Sequence, residues 1–239
     1  MHIMEGFLSA GWCLLWGLVA LPFVVTEILE FRAIMRKDRE YLPRLGVCGA
    51  FIVILSALKL PSVTGRCSLP TGTGLFTMCF GVFITSVIGG IVLLFPALLL
   101  AHGGLSTLGA NMVSMAISGP IAGYAIYRLL KNASVNIYIT VFLVTASADL
   151  VTYIITSFEL ALAYPAQTGG VFTSFATFFV IFAVTQIPLA IVEGCVLALV
   201  FKYIVNIKPE ILEKLHVFSH DQIDKALMQE PVSLPEVRS

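Results

Sequence analysis

Charge is what this chain has little of. Only 12% of its 239 residues are Asp, Glu, Lys or Arg, about half the share of a soluble domain. That deficit excludes an ordinary water-soluble globule. The 14 basic and 14 acidic residues cancel, and no basic stripe stands out, so nucleic acid is not an expected partner. No GxxxxGK(S/T) loop occurs, so any ATP-driven step needs another chain. GxSxG and HExxH are absent as well, and no enzyme is expected. The 5 cysteines, Cys13, Cys48, Cys67, Cys79 and Cys195, form no CxxC pair, which argues against a disulfide framework or a zinc knuckle. All but Cys67 fall in apolar runs, where cysteine serves as a small hydrophobe. The N-terminus lacks the positive n-region and small-residue cleavage site of a signal peptide, so it is expected to be retained.

What the chain has in abundance is apolar sequence: 58% hydrophobic residues and a mean hydropathy of +0.97. Runs of about 20 apolar residues cross a bilayer as helices, and they fall at 8–29, 44–60, 76–101, 110–130, 135–164 and 170–206. No period-two alternation persists through them, which argues against a β-barrel. The expected fold is an all-α integral membrane protein, a polytopic bundle of six to seven transmembrane helices. The run 170–206 is long enough to leave the bilayer or to break near Pro188. The pairs Gly89-Gly90 and Gly103-Gly104 mark places where 75–130 could break. Residues 1–206 read as the membrane domain and 207–239 as a polar C-terminal tail, a short helix followed by a disordered end.

The densest basic loop runs from Glu30 to Arg44, and the positive-inside rule places it in the cytoplasm. The N-terminus and loop 61–75 then face outside. Six crossings would leave Lys202, Lys208 and Lys214 outside, so a seventh is favoured.

The chain opens Met1-His2-Ile3-Met4-Glu5-Gly6. The amine of Met1 and the backbone and imidazole nitrogens of His2 can close two fused rings around one ion. Three roughly coplanar donors suit Ni(II), Cu(II) or low-spin Co(II). Since the terminal amine is a ligand, nothing could precede Met1.

Three further stretches are too polar or glycine-rich for plain lipid-facing helix. Residues 58–74 contain Pro61, Gly65, Pro70, Gly72 and Gly74, and read either as an exposed loop or as a re-entrant loop beside the N-terminus. Residues 101–111 set His102 beside Gly103, Gly104 and Asn111, a tight backbone holding a polar group; a structural His102 is the plainer reading. In the last two runs Asp149, Thr152, Glu159, Thr185, Gln186 and Glu193 interrupt apolar sequence. A proton relay is one reading; helix-to-helix hydrogen bonds and a docking surface for another subunit are the two structural alternatives, and this pair is favoured over the relay. His216 and His220, four apart in the tail, read as a solvated face without carboxylates at ligand spacing.

Taken together, Met1–Leu8, Lys59–Gly65, Pro70–Leu75, His102–Leu105, Leu108–Asn111 and Val184–Gly194 resemble one family over roughly residues 1–206. The chain is similar to the substrate-capture (S) component of energy-coupling-factor cobalt or nickel transporters, the CbiM/NikM family. The resemblance implies a helical membrane bundle with the N-terminal segment inserted into its centre. It implies Co(II) or Ni(II) as transported substrate, held by the Met1 amine and the His2 nitrogens, with a loop histidine as fourth in-plane donor. Implied partners are a transmembrane coupling subunit, a pair of cytoplasmic ATPases and often a small accessory membrane protein in the cell membrane. The loops resemble the cobalt branch, which feeds cobalamin biosynthesis.

One departure stands out. The family's loop reads Ser-His-Pro-Thr-Gly, whereas Ser68-Leu69-Pro70-Thr71-Gly72 places leucine where the histidine belongs. Cys67 as a thiolate, His102 or water could fill the place, or affinity is weakened; the last two are preferred to Cys67. Two other readings stand beside capture: a non-transporting, metal-sensing relative, and a stand-alone secondary transporter using Asp149, Glu159 and Glu193.

Overall fold

The computed structural model describes residues 2–37, 43, 45–46, 49–50, 54, 60–61, 67–68, 72–99, 103–133, 135–215 and 217–229. The architecture is helical. Helix α1 spans Ala10–Lys37, followed by a two-residue antiparallel ladder of β1 (Leu60–Pro61) and β2 (Cys67–Ser68). Then come α2 (Thr73–Phe80), α3 (Val82–Leu99) and α4 (Leu108–Asn111). A π-helical turn, Met112–Ser118, joins α4 directly to α5 (Gly119–Asn132). Helices α6 (Ile137–Ala163), α7 (Gly170–Ile207), α8 (Pro209–Lys214) and α9 (His220–Gln229) complete the chain. Among the described residues, Ala10–Arg36, Val82–Leu99, Ile137–Ala163 and Gly170–Ile207 are long and apolar enough to cross a membrane. With the helical residues between α1 and β1 and the continuous rod 108–132, the helix count fits the expected six-to-seven-helix bundle.

Helix α6 is the centre of the bundle. Val141, Val144, Ala148 and Leu160 on it are wholly buried, and α5 and α7 pack along it. Small residues set those distances. A Cβ on Gly123 would stand 3.3 Å from the Ala148 methyl, and one on Gly119 would stand 2.6 Å from Thr152 Oγ1. The outer faces of α1 and α7 expose Leu14, Leu18, Val180, Val184 and Leu199. On a membrane bundle such residues meet lipid at no cost.

The breaks differ from expectation in an instructive way. Gly89 and Gly90 do not interrupt α3; they are buried and let it approach the π-helix, where added Cβ atoms would meet Ala116 Cβ at 3.2 Å and Met112 Cε at 2.7 Å. The break falls at Gly81, whose φ of 80° suits glycine. Gly103, with φ 84°, does turn the chain as expected. Helix α7 runs through Pro188 without ending, for 38 residues. At about 1.5 Å per residue it exceeds the ~30 Å apolar core.

Beyond residue 207 the chain returns to the core. Leu212, Val217, Phe218, Ile223 and Ala226 join Tyr127, Val141, Phe201 and Val205 in one buried cluster. Tyr127 donates its hydroxyl proton to the Val217 carbonyl, and Lys131 Nζ donates to the same oxygen at 2.7 Å. The tail 207–239, expected as one short helix and a disordered end, instead forms α8 and α9 as far as Gln229; residues 230–239 lie outside the described residues.

Candidate metal centre

The N-terminal segment is folded into the bundle, and its backbone polar atoms explain why it stays there. Ile3 is fully buried, so its amide and carbonyl need partners. Asn111, at the end of α4, supplies both: Oδ1 accepts from the Ile3 amide at 2.7 Å, and Nδ2 donates to the Ile3 carbonyl at 3.1 Å. The Thr107 hydroxyl donates to the same carbonyl at 2.8 Å. Two residues on, the Glu5 amide donates to the Gly103 carbonyl at 3.1 Å. Gly6, at φ 75°, then turns the chain toward α1.

Side chains close the rest of this hook. The Glu5 carboxylate accepts from the Ser106 amide at 3.1 Å. Hydrogen bonds from the Ser106 side chain and backbone hold the Glu5 carboxyl below its ordinary range. Gly104 is small because Glu5 crosses it: a Cβ there would stand 2.4 Å from Glu5 Oε2. Tyr164, just beyond α6, donates its hydroxyl proton to the Phe7 carbonyl, and the two rings meet edge to face at 5.8 Å. Ile3 and Leu8 share a buried cluster with Trp16, Tyr153, Leu160 and Phe182.

His2 sits at the inner end of the hook and is only 4% exposed. Gly103 lies against it, its absent Cβ position 3.4 Å from His2 Cδ2 and 3.7 Å from Asn111 Nδ2. The Ile3 amide is already engaged by Asn111. Backbone donation to an ion is therefore left to positions upstream of Ile3.

Of the other residues singled out in the sequence, the expected ligands Met1 and His102, together with Leu69 and His216, lie outside the described residues. Cys67 is placed by backbone in β2, which runs beside α7. The loop that carries it ends inside the protein: Gly72 is buried, at φ 64°, and donates its amide to Glu193 Oε1 at 2.7 Å. Among the described residues no three His, Cys, Asp or Glu side chains converge on a metal-sized site.

The buried polar residues divide. Glu193 makes the expected bridge between elements. Thr152 instead bonds the Ala148 carbonyl of its own helix, and Thr185 that of Phe182. Asp149 and Glu159 correct the expectation of helix-to-helix hydrogen bonds: both are fully buried, and none of their carboxylate oxygens has a hydrogen-bond partner among the described residues. His220 faces solvent as expected, but with carboxylates at hand. Its Nδ1 stands 2.5 Å from Glu213 Oε1 and its Nε2 3.3 Å from Asp224 Oδ2. The Glu213 hydrogen bond first, then the Asp224 charge, raise its pKa. Thr107 lies in the polar stretch 101–111 already singled out, whereas Tyr164, which also fastens the hook, gave no signal in sequence, since it lies in no pattern distinct from its helix end.

Comparison with known proteins agrees with the helical membrane fold. Residues 2–211 match the family model described as the cobalt uptake substrate-specific transmembrane region, CbiM. The protein named CbiM 2 of Methanosphaerula palustris is 74% identical over 95% of this chain and 96% of its own length. The cobalt transport protein CbiM of a Nostoc species is 53% identical over 93% of this chain and 87% of its own. A crystal structure of a transition metal transporter superposes with a TM-score of 0.74 over 96% of this chain and 100% of its own, at 22% identity. A truncated form described as a transition metal transporter gives 0.73 at 25% identity, over 86% of this chain and 98% of its own. The chain belongs to the CbiM cobalt uptake family, as a membrane transport component and not an enzyme.

Proposed function

We propose that this chain captures Co(II), or Ni(II), at its N-terminus and passes it inward within an ATP-driven energy-coupling-factor transporter. The ligands are the Met1 amine and the backbone and imidazole nitrogens of His2. The observation that carries this reading is the hook itself: His2 is buried against Gly103 while the next residue is gripped on both backbone atoms by Asn111. A segment secured so thoroughly offers His2 at a fixed place and orientation. Prior fixing lowers the entropy lost on binding.

The amide and imidazole must shed protons to bind, so affinity falls as pH drops. A fourth in-plane place remains for water, His102 or Cys67, since Leu69 has no donor atom. The site and N-terminus face the outside, and residues 1–206 form the metal-binding membrane domain, with 207–239 as a C-terminal extension. The partners are a transmembrane coupling subunit, two cytoplasmic ATPases and a small accessory membrane protein, and the imported cobalt serves cobalamin biosynthesis.

Titration of the purified chain with Co(II) and Ni(II) tests the reading. One ion per chain is expected, and one extra residue before Met1 should abolish binding. Unchanged binding by the extended chain would refute the terminal chelate. Leu69→His is expected to tighten binding by supplying the missing donor; no change would mean the loop does not reach the ion.

A further inference from the structure

A carboxylate buried without hydrogen bonds is expensive unless a cation lies beside it. Asp149 is such a group. It has no exposed surface, and neither oxygen has a hydrogen-bond partner among the described residues. The path of the hook along α6 indicates the cation. Phe7 meets Tyr164 just past the C-terminal end of the helix. Deeper in, Ile3 shares its cluster with Leu160 and Tyr153. The segment therefore runs inward along α6 as it approaches the amino end.

Positions 160, 156, 153 and 149 are spaced four, three and four residues apart, one stripe of a helix. Asp149 is the next place on that stripe, one turn or about 6 Å beyond Tyr153. Two residues of chain can span up to about 7 Å, enough for an ion held at the amino end to lie level with Asp149.

We propose that Asp149 is the counter-charge of the N-terminal ion, a positioning residue outside the ligand set. The inference rests on the terminal-chelate reading. A divalent ion held by a neutral amine, a neutral imidazole and a deprotonated amide keeps one net positive charge. In a low-dielectric interior that charge needs a balancing anion, and one carboxylate suffices. Glu159, a second buried carboxylate with no hydrogen-bond partner on either oxygen among the described residues, lies about 80° around α6 from Asp149 and off the stripe.

Co(II) titration of the full chain in detergent, by calorimetry and visible absorption, separates these roles. Asp149→Asn should weaken Co(II) binding by roughly 10–100-fold, the usual effect of an outer-shell partner. Asp149→Thr, matching the threonines of the same helix, should do the same, which covers the case where the amide variant fails to fold. Asp149→Glu should recover most of the affinity, and Glu159→Gln should leave it at the wild-type level. The Co(II)-induced rise in melting temperature should shrink in step with affinity, a change that a packing role alone would not produce. Wild-type affinity in both neutral Asp149 variants, or an equal loss in Glu159→Gln, would overturn the assignment. If the unaltered chain takes up no Co(II), the terminal chelate itself fails. If it binds and the Asp149 variants bind as tightly, only the counter-charge fails.

Discussion

The carboxylate of Glu193, midway along α7, accepts the amide proton of Gly72 at 2.7 Å, across 121 positions of sequence. Gly72 is in the left-handed region and caps α2. One side chain thus fixes where the polar loop ends and the helix begins. Glu193→Leu should leave that buried amide unsatisfied, at a cost of about 1–3 kcal/mol. Glu193→Gln, which keeps an acceptor, should cost less. Thermal unfolding in detergent, with limited proteolysis of the loop before Gly72, measures both.

Asn111 grips Ile3 through donor and acceptor together. Asn111→Leu should strand the Ile3 amide, leave the Ile3 carbonyl to Thr107 alone, loosen the hook and lower Co(II) affinity by roughly an order of magnitude, the size of effect of an outer-shell partner. Asn111→Asp keeps the acceptor but not the donor, and should fall between. Hydrogen exchange at the Ile3 amide reports the hook, and metal titration reports the site.

Where α4 crosses α1, the tolerance of two glycines should be opposite. A Cβ on Gly109 would stand 2.6 Å from the Gly17 backbone, whereas one on Gly17 meets nothing within 4 Å. Gly109→Ala should therefore destabilise by about 1–3 kcal/mol through overpacking. Gly17→Ala should be neutral or slightly stabilising, because alanine is the better helix former. Melting temperatures of the two variants decide it.

Glu5 gives a pH signature. Its pKa is lowered in the folded state by the Ser106 bonds, so its contribution is present above the ordinary carboxylate pKa and lost as pH falls through the lowered value. Exchange of the Ser106 amide, corrected for intrinsic rate, should quicken in that acid range. Glu5→Gln should remove the acid dependence and quicken exchange at neutral pH.

Much of this structure is legible in the sequence, and the misses have physical causes. Apolar runs located α1, α6 and α7 because a lipid-facing helix must be apolar over its whole crossing. The burial of the N-terminal segment was legible only through the family resemblance, and the proposal of His2 as a chelator needed no fold at all, because ring closure depends only on adjacent atoms. Gly81 was not picked out as the break, since glycine serves equally as a breaker and as a close-contact surface. Gly89 and Gly90 take the second role, facing Ala116 and Met112. The polar average of 207–239 concealed Leu212, Ile223 and Ala226, which lie on the buried side of α8 and α9. The pairing of Asn111 with Ile3 joins positions 108 apart, and no local pattern encodes it.

The π-helical turn Met112–Ser118 has a consequence for how this protein can change over time. It behaves as an α-helix that has absorbed one surplus residue. The widened turn keeps Asn111 on Ile3 while Gly119 and Gly123 stay seated on α6. Removing that one residue should close the turn to plain α-helix with its two ends in nearly the same relation. Removing a second leaves no bulge to absorb the change, and would rotate Asn111 by about 100° relative to Gly119. The bundle below would survive, and the hold on the amino end would be lost. The stretch between Asn111 and Gly119 therefore carries one residue of slack in length: a single deletion there should be tolerated, and a double deletion should separate folding from capture.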